Sequence, residues 1–220
     1  MNLTARAGMG LIESMEKQEQ TIRRICVYCG SRPGVDPDYM RAGKALGEAI
    51  AASGYGLVYG GGTKGIMGAV AEGVLENNGH VMGIIPEFLV DMEATRDQLE
   101  ALDELLITPD MHVRKHTMFE RADAFIALPG GIGTLEEIVE IMTWAQLGRH
   151  NKPMILGNIG GFWQPMIELM DHMLKEGFLH TSHQVRPQLI DHVSDMIPAI
   201  EALWNESAVS DGQESLISKM

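Results

Sequence analysis

Pro129-Gly-Gly-Ile-Gly-Thr-Leu-Glu-Glu137 joins the apolar run Ala124-Phe-Ile-Ala-Leu128 to an apolar-periodic segment from Leu135 to Leu147. The run reads as a buried strand and the periodic segment as a helix, so the glycines fall where a strand turns into a helix. Without a Cβ, the backbone there can approach a ligand closely, and the free N–H groups of a first helical turn attract an anion. A structural reading fits as well: Thr134 as N-cap, with Glu137 three residues on as its capping-box partner in the first turn. Glu136 and Glu137 tip the balance. A carboxylate repels phosphate, so a site holding both suits a substrate with a phosphate at one end and reacting chemistry at the other.

Working outward, strand-like and helix-like segments alternate from about residue 23 to residue 204. Strands are expected at Arg24–Cys29, Leu57–Tyr59, His80–Ile85, Leu105–Ile107, Pro153–Gly157 and Val185–Ile190, besides the one before the glycines. A helix starts at Asp36 or Asp38 and stops at Gly54, and another runs from Gly65 to the Asn78-Gly79 stop. Further helices cover Met111–Ala122, Phe162–Glu176 and Ser194–Trp204. Such alternation predicts an α/β fold: a single-domain, Rossmann-like, doubly wound parallel sheet with helices on both faces. Ligands then bind outside the carboxyl ends of the strands, near the topological switch point. The expected organisation is a flexible segment over residues 1–22, a nucleotide-monophosphate-binding domain over 23–205 and a flexible tail over 206–220.

Leu57-Val-Tyr-Gly60-Gly-Gly-Thr-Lys-Gly65-Ile-Met-Gly68 echoes the first motif as strand, glycine loop and helix start. Two such loops at the ends of parallel strands share one crevice, which makes Gly60, Gly61 and Gly62 candidates for a phosphate loop. The loop is not a Walker A motif, because it does not end in Gly-Lys-Ser/Thr. It matches the dinucleotide fingerprint by letter only: it follows the second strand, and no acidic residue ends the third strand to hold a ribose.

Composition narrows the function classes. The chain has 220 residues, 45% of them hydrophobic, enough for one sizeable core. A net charge of −13 disfavours nonspecific binding to nucleic acid or to an anionic membrane, both of which need a basic face. No apolar run approaches a spanning helix. Met1 to Gln20 lacks the apolar core of a secretory signal, so a cytoplasmic address is expected. Cys26 and Cys29 have Cys-x-x-Cys spacing but lie in a strand-like run rather than opening a helix, and read as buried or half-buried thiols. His112 and His116 share a helical face without the Glu-x-x of a zinc hydrolase between them, so no metal is expected. The sixteen methionines read as gap-filling core or interface residues.

The combination of Pro129-Gly-Gly-Ile-Gly-Thr-Leu-Glu-Glu137, Met111-His-Val-Arg-Lys115 and Tyr59-Gly-Gly-Gly62 resembles the LOG ("lonely guy") family of cytokinin riboside 5′-monophosphate phosphoribohydrolases, once mislabelled lysine decarboxylases. The resemblance covers roughly residues 23 to 180. It implies hydrolysis of the N-glycosidic bond of a purine nucleoside 5′-monophosphate (AMP or its N6-prenylated form) to free base and ribose 5-phosphate, with no cofactor. By motif it implies Arg114 and Glu137 as the catalytic pair. Glu93, Lys115, Gly131, Ile132, Gly133, Thr134, Leu135, Glu136 and Thr143 are implied as substrate-binding positions. Ile132 stands where plant members commonly carry Tyr. The resemblance also implies a homodimer with the site near the interface. Ile138, Ile141, Met142 and Ala145 agree, forming an apolar helix face broader than one sheet face covers. The alternative is a non-catalytic carrier of a phosphorylated pterin or nucleotide, similar to molybdenum-cofactor carriers, on the same cradle. The intact Arg114 and Glu137 pair disfavours it.

Overall fold

β1, Arg24–Tyr28, is the middle strand of a seven-stranded sheet, and every neighbouring pair in that sheet is parallel. The computed structural model describes residues 22–94, 99–179 and 187–217. The expected N-terminal segment and part of the expected strand from Val185 lie outside the described residues.

The chain runs outward from β1 through β2 (Gly56–Tyr59), β3 (Val81–Pro86) and β4 (Glu104–Thr108), then returns to lay β5 (Ala124–Ala127) on the other side of β1. β6 (Met154–Gly157) and β7 (Gln188–Ile190) extend that side. The reversal places the topological switch point between β1 and β5, which run in register from Ile25 opposite Ala124 to Tyr28 opposite Ala127. Just beyond, the Gly30 N–H donates to the Pro129 carbonyl at 3.0 Å, so the two strand ends are tied side by side.

The helices are α1 (Pro37–Ala52), α2 (Gly65–Glu76), a one-turn α3 (Val90–Glu93), α4 (Met111–Arg121), α5 (Ile132–Gln146), α6 (Gln164–Lys175) and α7 (Val193–Ile217), all but α3 where the sequence predicts one. Their starts follow local chemistry. Asp36 caps α1 by accepting from the Asp38 N–H, with Pro37 at the first helical position. Asp110 caps α4 by accepting from the Val113 N–H at 2.9 Å. Asn78, at φ 55°, ends the α2 turn in the left-handed conformation that Asn tolerates. α7 continues to Ile217, so the closing helix runs into the segment expected as a tail from 206.

Successive side chains of β1 point to opposite faces. Ile25 and Val27 pack with Leu46 of α1, Val70 of α2 and Ile200 of α7. Cys26 and Tyr28 pack on the other face with Met118 of α4, Ile138 and Ile141 of α5 and Trp163, whose indole N–H donates to the Ala127 carbonyl at 2.9 Å. Cys26 and Cys29 are free, buried thiols, and burial pushes both above their ordinary range. The core therefore takes them as small apolar groups.

Candidate active site

α5 begins earlier than its hydrophobic pattern suggested. Gly131 is its N-cap, in extended conformation and without any side-chain capping bond, and the Leu135 N–H to Gly131 carbonyl bond opens the helix. The capping box is therefore not built. Thr134 is inside the first turn and buried, its Cβ and Oγ1 filling the space where Gly130 has no Cβ. Glu137 falls in the second turn. It is freed from the cap and stands deeper than a first-turn residue would. No side chain caps the N–H groups of this first turn, and a Cβ built on Gly131 or on Gly133 meets nothing within 4 Å.

A cavity of about 230 Å³ opens at the carboxyl ends of β1 and β5. Arg114, Glu93, Glu136, Glu137, Gly131, Gly133 and Thr134 all contribute to its wall. The N-cap at Asp110 fixes where α4 starts, and this sends Arg114 inward over β3. The Arg114 Nε donates to the Ile84 carbonyl at 3.1 Å, and its Nη1 donates to Glu137 Oε1 at 3.2 Å. Both side chains are almost fully buried. Burial pushes the Glu137 carboxyl up to about 7, aided by the charges of Glu136 and Glu93 and opposed by Arg114 and Lys115. A carboxyl group poised near neutrality, held by a cation and facing a cavity, has the make-up of a proton-transfer group.

Lys115 does not line the cavity. Its ammonium bonds Glu136 Oε1 at 2.5 Å and Glu140 Oε1 at 3.2 Å, clamping α4 to α5 just outside the Arg114–Glu137 pair. Burial would lower the Lys115 pKa, but the two carboxylates outweigh it and the net shift is upward. Thr143 is exposed, its hydroxyl returned to the Val139 carbonyl at 2.8 Å, and it lies away from the cavity with Ile132 and Leu135.

The glycine run after β2 has a packing role. Gly60, Gly61 and Gly62 line no wall of this cavity. A Cβ on Gly60 would collide with the Arg114 guanidinium, one on Gly61 would press on Ile85, and one on Gly62 would meet Met67 Sδ at 2.7 Å. The run makes room for the arginine and the neighbouring methionine. The loop after β1 was missed in turn: Cys29, Gly30 and Ser31 line the cavity. Its signal was positional, since β1 borders the switch point, and only the strand order reveals that.

The apolar surface is likewise displaced from where the sequence put it. Ile138, Ile141 and Ala145 are buried against the sheet, so the face read as surplus is core. The exposed apolar side chains of this region are Ile132, Leu135, Val139 and Leu147.

With this geometry in place, comparison with known proteins is specific. A family model described as "Possible lysine decarboxylase" matches residues 67–200. The cytokinin riboside 5′-monophosphate phosphoribohydrolase LOG7 of Arabidopsis thaliana is 45% identical over 165 residues, 75% of each chain. A probable cytokinin riboside 5′-monophosphate phosphoribohydrolase of rice, LOGL6, is 38% identical over 214 residues, covering 97% of this chain and 82% of that one. The chain belongs to the LOG family. Among solved structures, the molybdenum cofactor carrier protein of Chlamydomonas reinhardtii aligns with a TM-score of 0.63 at 22% identity, covering 84% of this chain and 99% of that one. The molybdenum cofactor binding protein of Rippkaea orientalis aligns with a TM-score of 0.62 at 20% identity over the same shares. At those identities the likeness is one of fold, and it agrees with the doubly wound sheet of this LOG family member. No helix among its described residues is long and apolar enough to cross a membrane.

Proposed function

We propose that this LOG family protein hydrolyses the N-glycosidic bond of a purine nucleoside 5′-monophosphate, AMP or its N6-prenylated form, giving free base and ribose 5-phosphate. The observation that carries the reading is the buried Arg114–Glu137 pair at 3.2 Å, set in a cavity that also holds the uncapped start of α5. The backbone N–H groups at Gly131 to Thr134 take the 5′-phosphate. The ribose then lies toward the second turn of α5, where Glu137 waits.

Breaking the C1′–N bond builds positive charge on the ribose, as in a glycosidase transition state. The ionised Glu137 carboxylate stabilises that charge and accepts a proton from the water that attacks C1′. The bonding pair leaves with the base nitrogen, which is protonated from Glu137 or solvent, so that water is consumed and the enzyme returns to its starting state. Arg114 orients Glu137 and holds it ionised. A buried ion pair contributes little net stability compared with apolar packing, which favours a chemical role over a structural one and favours hydrolysis over mere carriage.

The exposed stripe on α5 supports a homodimer in which two copies of this helix meet beside their sites. Thr143 lies along the same helix, so a role for it in substrate binding is argued through the partner's cavity. Incubation of the purified protein with AMP and isopentenyl-AMP, with separation of base from nucleotide, tests the activity. Release of adenine or its prenylated form is expected; no free base from any purine monophosphate would sink the proposal.

A further inference from the structure

The cavity that holds Glu137, at about 230 Å³, is smaller than the roughly 300–1,000 Å³ typical of small-molecule sites. A second cavity of about 350 Å³ adjoins it, and the two share Gly30, Ser31 and Gly131 in their walls. Their charges differ sharply. Glu93, Glu136 and Glu137 line the first, where Arg114 is committed to Glu137. Lys115, just behind, is committed to Glu136 and Glu140. A phosphomonoester, which carries up to two negative charges, meets no uncommitted cation there. No carboxylate lines the second cavity, and its one charged lining residue is Arg32. Among the described residues Arg32 makes no ion pair.

The second cavity is also built. The backbone of Arg32 packs so closely on Gly65, at φ 59°, that a Cβ there would collide with it, which fixes the loop against the start of α2. Tyr39 and Phe162 form the opposite wall edge to face, with ring centroids 5.9 Å apart. We infer that the nucleotide spans both cavities and that Arg32, in the wall that adjoins the shared Gly30, Ser31 and Gly131, supplies the cation for its 5′-phosphate. This rests on the proposed hydrolysis for the identity of the nucleotide, but the anion subsite itself is independent of turnover. A guanidinium forks across two phosphate oxygens. Its loss therefore weakens ground-state and transition-state binding together and leaves the chemical step alone.

The test uses Arg32→Ser and Arg32→Lys in the full chain, with calorimetric affinity for ribose 5-phosphate and for ribose, and with kinetics on AMP and adenosine. Arg32→Ser is expected to weaken ribose 5-phosphate binding and raise the KM for AMP by about tenfold or more, the size of one charge-assisted hydrogen bond. The kcat for AMP, and whatever affinity ribose and adenosine show, should stay near wild type, and Arg32→Lys should recover part of the loss. Unchanged ribose 5-phosphate affinity in Arg32→Ser overturns the subsite, as does an equal loss for the compounds without phosphate. If the wild type hydrolyses nothing but loses ribose 5-phosphate with Arg32→Ser, the hydrolase reading fails and the subsite stands.

Discussion

Gly60 and Arg114 compete for one volume: the space a Cβ on Gly60 would fill is occupied by the Arg114 guanidinium. The glycine at the end of β2 is therefore part of the arginine's seat. Gly60→Ala is expected to push the guanidinium off Glu137 and off the Ile84 carbonyl. Steady-state kinetics should show a loss of roughly 10²- to 10³-fold in kcat, the cost of removing one preorganised electrostatic partner. Chemical denaturation should show a smaller penalty of about 1–3 kcal/mol for overpacking. Wild-type turnover in a folded Gly60→Ala protein would mean that the seat does not matter.

Glu137 sets the acid side of the pH profile. Its carboxyl is raised to about 7, with burial the first cause, and the proposed mechanism uses the ionised form. Activity should therefore fall about tenfold per pH unit below 7, well above where an ordinary carboxylate would titrate. Glu137→Gln should lower kcat by at least about 10²-fold, remove the limb and leave nucleotide binding intact. A limb that survives in Glu137→Gln belongs to another group.

The same raised carboxyl has a consequence for stability. Glu137 takes up its proton more readily when folded than when unfolded, so its favourable contribution is complete below its unfolded range near 4.5 and is lost as pH rises through about 7. Comparing denaturation midpoints of the wild type and Glu137→Gln between pH 5 and 8 should show the variant gaining relative stability as pH rises. A constant difference across that range would contradict the raised carboxyl.

Lys115 and Glu136 act on Glu137 in opposite senses, the first lowering and the second raising its titration point. Lys115→Gln removes the partner of two carboxylates and should move the acid limb to higher pH. Glu136→Gln should move it to lower pH. Measuring kcat/KM against pH for both variants checks the pair, since a purely structural role of the α4–α5 clamp would shift neither limb.

The exposed stripe of Ile132, Leu135 and Val139 on α5 predicts self-association through that helix. Light scattering of the wild type is expected to give twice the 24.1 kDa chain mass, and Val139→Glu should reduce it to a monomer. A monomeric wild type would remove the dimer from the functional reading.

Much of the fold was legible in the sequence because the signals were local. Apolar runs marked β1, β2 and β5, and Asp36 marked the start of α1, each within a few residues of its cause. The site was legible as a set of motifs, but its internal contacts were not. Thr134 and Glu137 have the spacing of a capping box, yet Gly131 starts the helix, since an extended glycine can enter it one turn earlier than the hydrophobic pattern shows. Lys115 follows Arg114 in the chain, but a turn of about 100° between them on α4 sends one to Glu137 and the other to Glu136 and Glu140.

By itself, the sequence determined the alternating α/β architecture and which segments would carry the chemistry, since periodicity and glycine placement depend only on neighbours along the chain. Tertiary structure alone decided the rest. The strand order put β1 beside β5, which brought Ser31 and Arg32 to the glycine loop of α5, 100 residues away in the chain. The same packing placed Arg114 in the space left by Gly60 and buried Glu137 enough to raise its carboxyl. Those outcomes depend on desolvation and close approach across the sheet, and no local pattern of residues encodes either.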